Sequence, residues 1–122
     1  MKKRILVADD NPLIRKMLCK IFSDHKALEI CDEAVNGQEA VEKAERLKPD
    51  LIILDLAMPV LDGLKAAEAI CKLMPDVPII LFTLHAQTLK DFDLKNSGIT
   101  RVVPKTAMIS LVDHAEDLLR VA

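Results

Sequence analysis

Short apolar runs alternate with amphipathic stretches along the whole chain. Ile5-Leu6-Val7-Ala8, Leu51-Ile52-Ile53-Leu54 and Pro78-Ile79-Ile80-Leu81-Phe82 are apolar throughout, whereas Leu28-Glu29-Ile30-Cys31-Asp32 alternates. A continuous apolar run fits a strand covered on both faces, and an alternating run fits a more exposed one. The expected strands lie near 4–8, 28–33, 51–54, 78–82 and 100–103, with helices near 12–23, 37–47, 63–74, 86–96 and 108–121.

Five βα units in succession imply an α/β fold with a parallel sheet covered on both faces, because each parallel strand needs a crossover and crossovers are right-handed. The alternating second run belongs at an edge. So does the fifth strand, since Pro104 near its end cannot donate to a ladder. Both placements fit the strand order 2-1-3-4-5 of a flavodoxin-like (βα)5 doubly wound sheet.

The helices show their inner faces with unequal clarity. In the first, Asp10 or Asn11 caps the start, Pro12 occupies the first turn, and Ile14, Met17, Leu18, Ile21 and Phe22 form one stripe. In the second, Ala40, Val41, Ala44 and Leu47 face inward, with Glu39/Lys43 and Glu42/Arg46 as exposed pairs. The fourth offers only Leu89 and Phe92, so weak packing is expected there. The last carries Met108, Leu111, Val112, Ala115, Leu118 and Leu119.

Composition narrows the function more than the fold. The 122 residues, 51% hydrophobic and 30% charged, suit one domain spanning 1–122. A formal charge of -2 supplies no basic field, so direct nucleic-acid contact is not expected. No apolar run reaches the length of a membrane span and the start does not resemble a secretory signal, so a soluble, cytoplasmic protein without membrane contact is expected. Cys19, Cys31 and Cys71 are odd in number and widely spaced, which fits reduced, partly buried thiols. His25 and His114 read as surface residues.

The candidate chemistry gathers where strands end. Asp9 and Asp10 follow the first strand, Asp55 the third, Thr83 the fourth and Lys105 the fifth. In open sheets of this order, the functional crevice lies outside these carboxyl ends, where the strand order reverses. Carboxylates ~4 Å apart repel by about 4 kcal/mol per pair at an effective dielectric near 20, so the cluster should hold a cation or protonate. Taken singly, Asp9-Asp10 also reads as a cap and turn, Lys105 as a solvated lysine and Thr83 as a strand-end hydroxyl. Asp55 differs, since an acid closing a buried apolar run is costly unless paired.

In order and spacing, Asp9-Asp10, Leu54-Asp55-Leu56-Ala57-Met58-Pro59 with Asp62-Gly63, Thr83 and Lys105 resemble the receiver domain of two-component response regulators. The resemblance covers essentially the whole chain. It implies that Asp55 accepts a phosphoryl group from a sensor histidine kinase or phosphotransfer protein. It also implies that Asp9, Asp10, Asp55 and the Ala57 backbone carbonyl hold Mg²⁺, while Thr83 and Lys105 meet the phosphoryl oxygens. Attack by a carboxylate on phosphorus gives an acyl phosphate, and a small hard dication eases the approach of two anions. Such a domain is a kinase substrate, not an enzyme, with at most slow self-dephosphorylation. Its implied partners include an output domain or protein, and a second copy through helix 4, strand 5 and helix 5.

Several residues depart from the family pattern. Val102 stands where many receivers have an aromatic switch residue, and Leu84, usually a small residue, is expected to narrow the pocket mouth. Pro104 precedes Lys105 instead of following it. Ala57 and His85 border the path of attacking water: Ala57 lacks a polar side chain, and His85 either orients or blocks water or simply begins a helix. A receiver-like interaction module that no longer switches is therefore the competing reading. An aspartate-based phosphatase lacks its second acid, because Ala57 occupies that position, and a flavin binder is disfavoured by two acids in the first βα loop.

Overall fold

The computed structural model describes the chain apart from His85, Lys90 and Ala122 and the side chains of Thr88, Asp91, Phe92 and Asp93. Its elements run β1 Lys3–Ala8, α1 Pro12–Phe22, β2 Leu28–Ala34, α2 Gly37–Leu47, β3 Leu51–Leu54, α3 Gly63–Leu73, β4 Ile79–Thr83, α4 Asp91–Ser97, β5 Arg101–Pro104 and α5 Ser110–Leu119. All strand pairings are parallel, in the order β2-β1-β3-β4-β5. The edge placement of β2 and β5 matches the expectation.

Period-two alternation divides the central strands between two cores. Leu6, Ala8, Ile52, Leu54, Ile79 and Leu81 pack with Ala40, Ala44, Ala66, Ala67 and Ile70 of α2 and α3. Ile5, Val7, Ile53, Ile80 and Phe82 face the other way, toward Leu18 and Phe22 of α1 and Leu111 and Ala115 of α5. Burial on both faces explains why these runs are apolar throughout. Asn11, Asn36 and Asp62 cap α1, α2 and α3, each accepting from a first-turn N–H.

Some expected details are corrected. Met17, assigned to the inner stripe of α1, is 42% exposed, because the core beneath α1 is already filled by Leu18 and Phe22. The fourth helix does not run from 86 to 96. A 3-10 turn at Ala86–Thr88 precedes a seven-residue α4, as expected of a segment whose apolar stripe is too thin to repay a longer helix. Leu89 packs on the first core, and the assignment of Phe92 to that stripe lies outside the described side chains. Lys43 pairs with Glu39, but Arg46 reaches Asp32 on β2 at 3.8 Å instead of Glu42.

His25 is not a surface residue. Its side chain is half-buried, with Nε2 2.8 Å from Glu116 of α5 and Nδ1 accepting from the Ala27 N–H. His114 is also half-buried and accepts from Arg101. Free Cys19, Cys31 and Cys71 are half-buried as expected. Burial raises the Cys31 thiol pKa; burial, then the charge of Glu33, raises that of Cys19.

Candidate functional site

Strand register builds the site. Ala8 lies opposite Leu54, so the next residues of β1 and β3, Asp9 and Asp55, leave the sheet side by side. Their backbones are anchored: the Asp55 N–H donates to the Ala8 carbonyl at 2.9 Å, and the Asp9 N–H to the Ala34 carbonyl at 3.0 Å. At the far side Thr83 lies opposite Pro104, and Lys105 follows. Four βα loops thus converge on one crevice.

Local chemistry then aims the side chains. The Asn11 N–H donates to Asp9 Oδ1 at 2.9 Å, which leaves Oδ2 directed elsewhere. The beginning of α3 lies hard against Asp55, and a Cβ at Gly63 would stand 2.2 Å from the Asp55 carbonyl oxygen. Only glycine permits that approach. The Gly63 N–H also closes the loop by donating to the Leu56 carbonyl at 2.9 Å.

Lys105 Nζ lies 2.8 Å from Asp9 Oδ2 and 3.3 Å from Asp55 Oδ2, and the three side chains are only 10%, 2% and 6% exposed. The ammonium also stands 6.0 Å from the centre of the Phe82 ring, at the outer limit of a cation–π contact. Burial and then the charge of Asp9 raise the Asp55 pKa, against the opposing pull of Lys105 and the Ala57 N–H. Burial alone would lower the Lys105 pKa, but its contacts with the two carboxylates outweigh that and raise it. One ammonium therefore does not compensate two buried acids.

Carboxylate oxygens of Asp9, Asp10 and Asp55 lie within 4.8 Å of one another, with Asp10 exposed on the rim. Asp9 Oδ2 is the one buried side-chain polar atom among the described residues left without a partner in hydrogen-bond geometry, despite the nearby ammonium. Three convergent carboxylates, two of them buried and sharing a single ammonium, fit a small, hard dication such as Mg²⁺.

The remaining expected residues occupy this edge or lie near it. Thr83 is fully buried at the end of β4. Ala57 is exposed on the loop after Asp55. Leu84 is 67% exposed just beyond the end of β4. Val102 is half-buried against the first core. His85 lies outside the described residues. Sequence reasoning passed over Arg15, whose link to Asp9 depends on how α1 seats beside β2.

A doubly wound parallel sheet with a carboxylate–lysine cluster across its switch point defines the class of protein. The chain belongs to the response regulator receiver domain family, whose model matches residues 5–116. It is 41% identical over 107 residues to a protein-glutamate methylesterase/protein-glutamine glutaminase of Vibrio cholerae, covering 86% of this chain and 28% of that protein. A counterpart from Nocardioides is 34% identical over 121 residues, 98% of this chain and 33% of the relative. The chain thus spans no more than about a third of these relatives.

Solved structures agree. The response regulator domain of Thermotoga maritima CheB superposes with a TM-score of 0.86 at 27% identity, covering 100% of this chain and 99% of that one. The response regulator TrrA of the same organism, in complex with Mg²⁺ and BeF, gives 0.85 at 36% identity over 95% and 98% of the two chains. The acidic cluster of Asp9, Asp10 and Asp55 is positioned as in the phosphoacceptor site of this family. Among the described residues, no helix is long and apolar enough to cross a membrane.

Proposed function

We propose that residues 1–122 form the phosphoacceptor domain of a two-component signalling protein, with Asp55 as the acceptor. The observation that carries this reading is the buried contact of Lys105 with both Asp9 and Asp55. An Asp55 carboxylate oxygen attacks the phosphorus of a phosphohistidine, the P–N bond breaks with its electrons left on the imidazole, and an acyl phosphate forms. Asp9, Asp10, Asp55 and the Ala57 carbonyl would hold Mg²⁺, whose positive charge would offset the meeting of anions. Lys105 exchanges a carboxylate for a phosphoryl oxygen, and Thr83 offers its hydroxyl to another. Ala57 offers no side-chain group to orient a hydrolytic water.

The phosphoryl donor is a histidine kinase or phosphotransfer protein, so the domain is a substrate and not an independent enzyme. The methylesterase relatives suggest an effector as its output, and the face of α4, β5 and α5 is the proposed contact for output or for a second copy. Incubation with acetyl phosphate and Mg²⁺ should add one phosphoryl group by intact mass, absent in Asp55→Asn. Failure of every small-molecule and phosphohistidine donor would reject the assignment.

A second reading has a specific support: Val102 is half-buried in the core, where the family often has a mobile aromatic ring. A receiver-like module that binds constitutively would keep the metal site and lose the switch. Partner affinity measured with and without beryllofluoride separates the two, since a change of several-fold excludes the constitutive module.

A further inference from the structure

Arg15, on the second turn of α1, is only 15% exposed and serves two acceptors. Its Nη1 donates to the Asp9 backbone carbonyl at 2.7 Å, and its Nε to Glu33 Oε1 of β2 at 3.0 Å. Asp9 is consequently fixed at three points: its N–H by Ala34, its carbonyl by Arg15 and its Oδ1 by the Asn11 N–H. Oδ2 alone remains for the lysine and a cation. The gripped carbonyl belongs to the same rigid peptide plane as the Asp10 N–H, so the grip also sets where the Asp10 side chain leaves the backbone.

We infer that Arg15, braced by Glu33, is a positioning residue for the metal-binding carboxylates Asp9 and Asp10, an inference that rests on the metal reading above. Charge and geometry make opposite demands. A guanidinium beside a dication site weakens binding by repulsion, whereas a clamp on the ligand backbone strengthens it by holding the oxygens in place. Glu33 neutralises much of the guanidinium charge and leaves the clamp. A lysine keeps the charge but, as a point donor, lacks the planar fork that spans both acceptors.

The test is a Mg²⁺ titration of the whole chain followed by amide NMR, for wild type, Arg15→Ala, Arg15→Lys and Glu33→Gln. Supporting groups behind metal ligands typically change affinity about 10-fold or more. Arg15→Ala should weaken binding by about that factor, Arg15→Lys should resemble Arg15→Ala, and Glu33→Gln should fall between them and wild type. Unchanged or tighter binding in Arg15→Lys and Arg15→Ala overturns the inference while leaving the metal site intact. An equal loss in Ile21→Val, which thins the packing of the same helix away from Asp9, overturns it as well. Absence of Mg²⁺ binding by the wild type overturns both the metal reading and the role of Arg15. If Arg15→Ala does not fold, the Arg15→Lys and Glu33→Gln comparison decides alone.

Discussion

Two lysines in this domain each gather two acids, and only one of them makes a binding site. Lys43 lies 3.1 Å from Glu39 and 3.4 Å from Asp32, and it also donates to the Glu33 carbonyl, tying α2 to the edge strand β2. Its acids are 34% and 37% exposed, so water screens their excess charge. Around Lys105 the corresponding acids are 2% and 6% exposed, and both depend on that one ammonium. The residue types match; access to water differs. An ion pair as such is structural glue of small value, while buried negative charge beyond what its lysine can balance is a demand for a further cation.

The largest contrast should come from the acids. Asp55→Asn should abolish the phosphoryl adduct yet raise stability by about 1 kcal/mol, because it removes an uncompensated buried charge. Asp32→Asn should leave the adduct intact and lower stability by no more than about 1 kcal/mol. Urea unfolding beside intact-mass analysis reads both quantities, and a destabilised Asp55→Asn would break the comparison.

The lysines themselves give the next effect. Lys105→Ala should cost about 3 kcal/mol without Mg²⁺, since it leaves two buried carboxylates facing one another, and added Mg²⁺ should recover part of this. Lys43→Ala should cost about 1 kcal/mol at most, with no Mg²⁺ dependence. The pH dependence has a definite sign. The Asp55 pKa is raised in the folded protein, so ionising this group opposes folding as pH rises above the ordinary carboxylate value of about 3.9. The cost of Lys105→Ala should therefore shrink as pH falls and Asp55 takes up its proton. Equal costs for the two lysines across pH would show that burial is not what distinguishes them.

Much of this arrangement was legible in the chain because it follows from local rules. Unbroken apolar runs marked the central strands, an alternating run and a proline marked the edges, and the order of strands then sent Asp9, Asp55, Thr83 and Lys105 to one side. What escaped depends on how faces meet. Arg15 looks like any polar residue of α1 until β2 brings Glu33 beside it. Met17 satisfies the helical stripe, yet the helix is wider than the core that it covers. His25 lies in a loop whose partner, Glu116, is 91 residues away. Asp32 and Lys43 likewise show nothing in sequence that separates them from the acids and lysine of the site; only burial does.

Backbone strain offers a smaller test, between the edge of the sheet that carries the carboxylates and the opposite one. Among the described residues, three other than glycine have positive φ: Lys48 at 49°, Val60 at 70° and Arg120 at 56°. Lys48 and Arg120 close α2 and α5 as helix caps, a place where an unbranched residue accepts this conformation at modest cost. Val60 is branched at Cβ, lies in the loop between Asp55 and α3, and is 80% exposed, so no packing energy offsets its strain. The neighbouring Leu61 carbonyl would touch any Cβ at Gly37, at 1.9 Å, which shows how tightly the loop is held against α2. Strain of this kind costs on the order of 1 to 3 kcal/mol, and the extra freedom of an unfolded glycine returns about 0.5 to 1. Val60→Gly should therefore raise stability by about 1 kcal/mol, and Lys48→Gly, relieving less strain against the same entropy, should change it by less than about 0.5. Thermal or urea unfolding of the two variants decides the matter: a larger gain at Lys48 would mean that strain is not concentrated at the edge that carries the carboxylates.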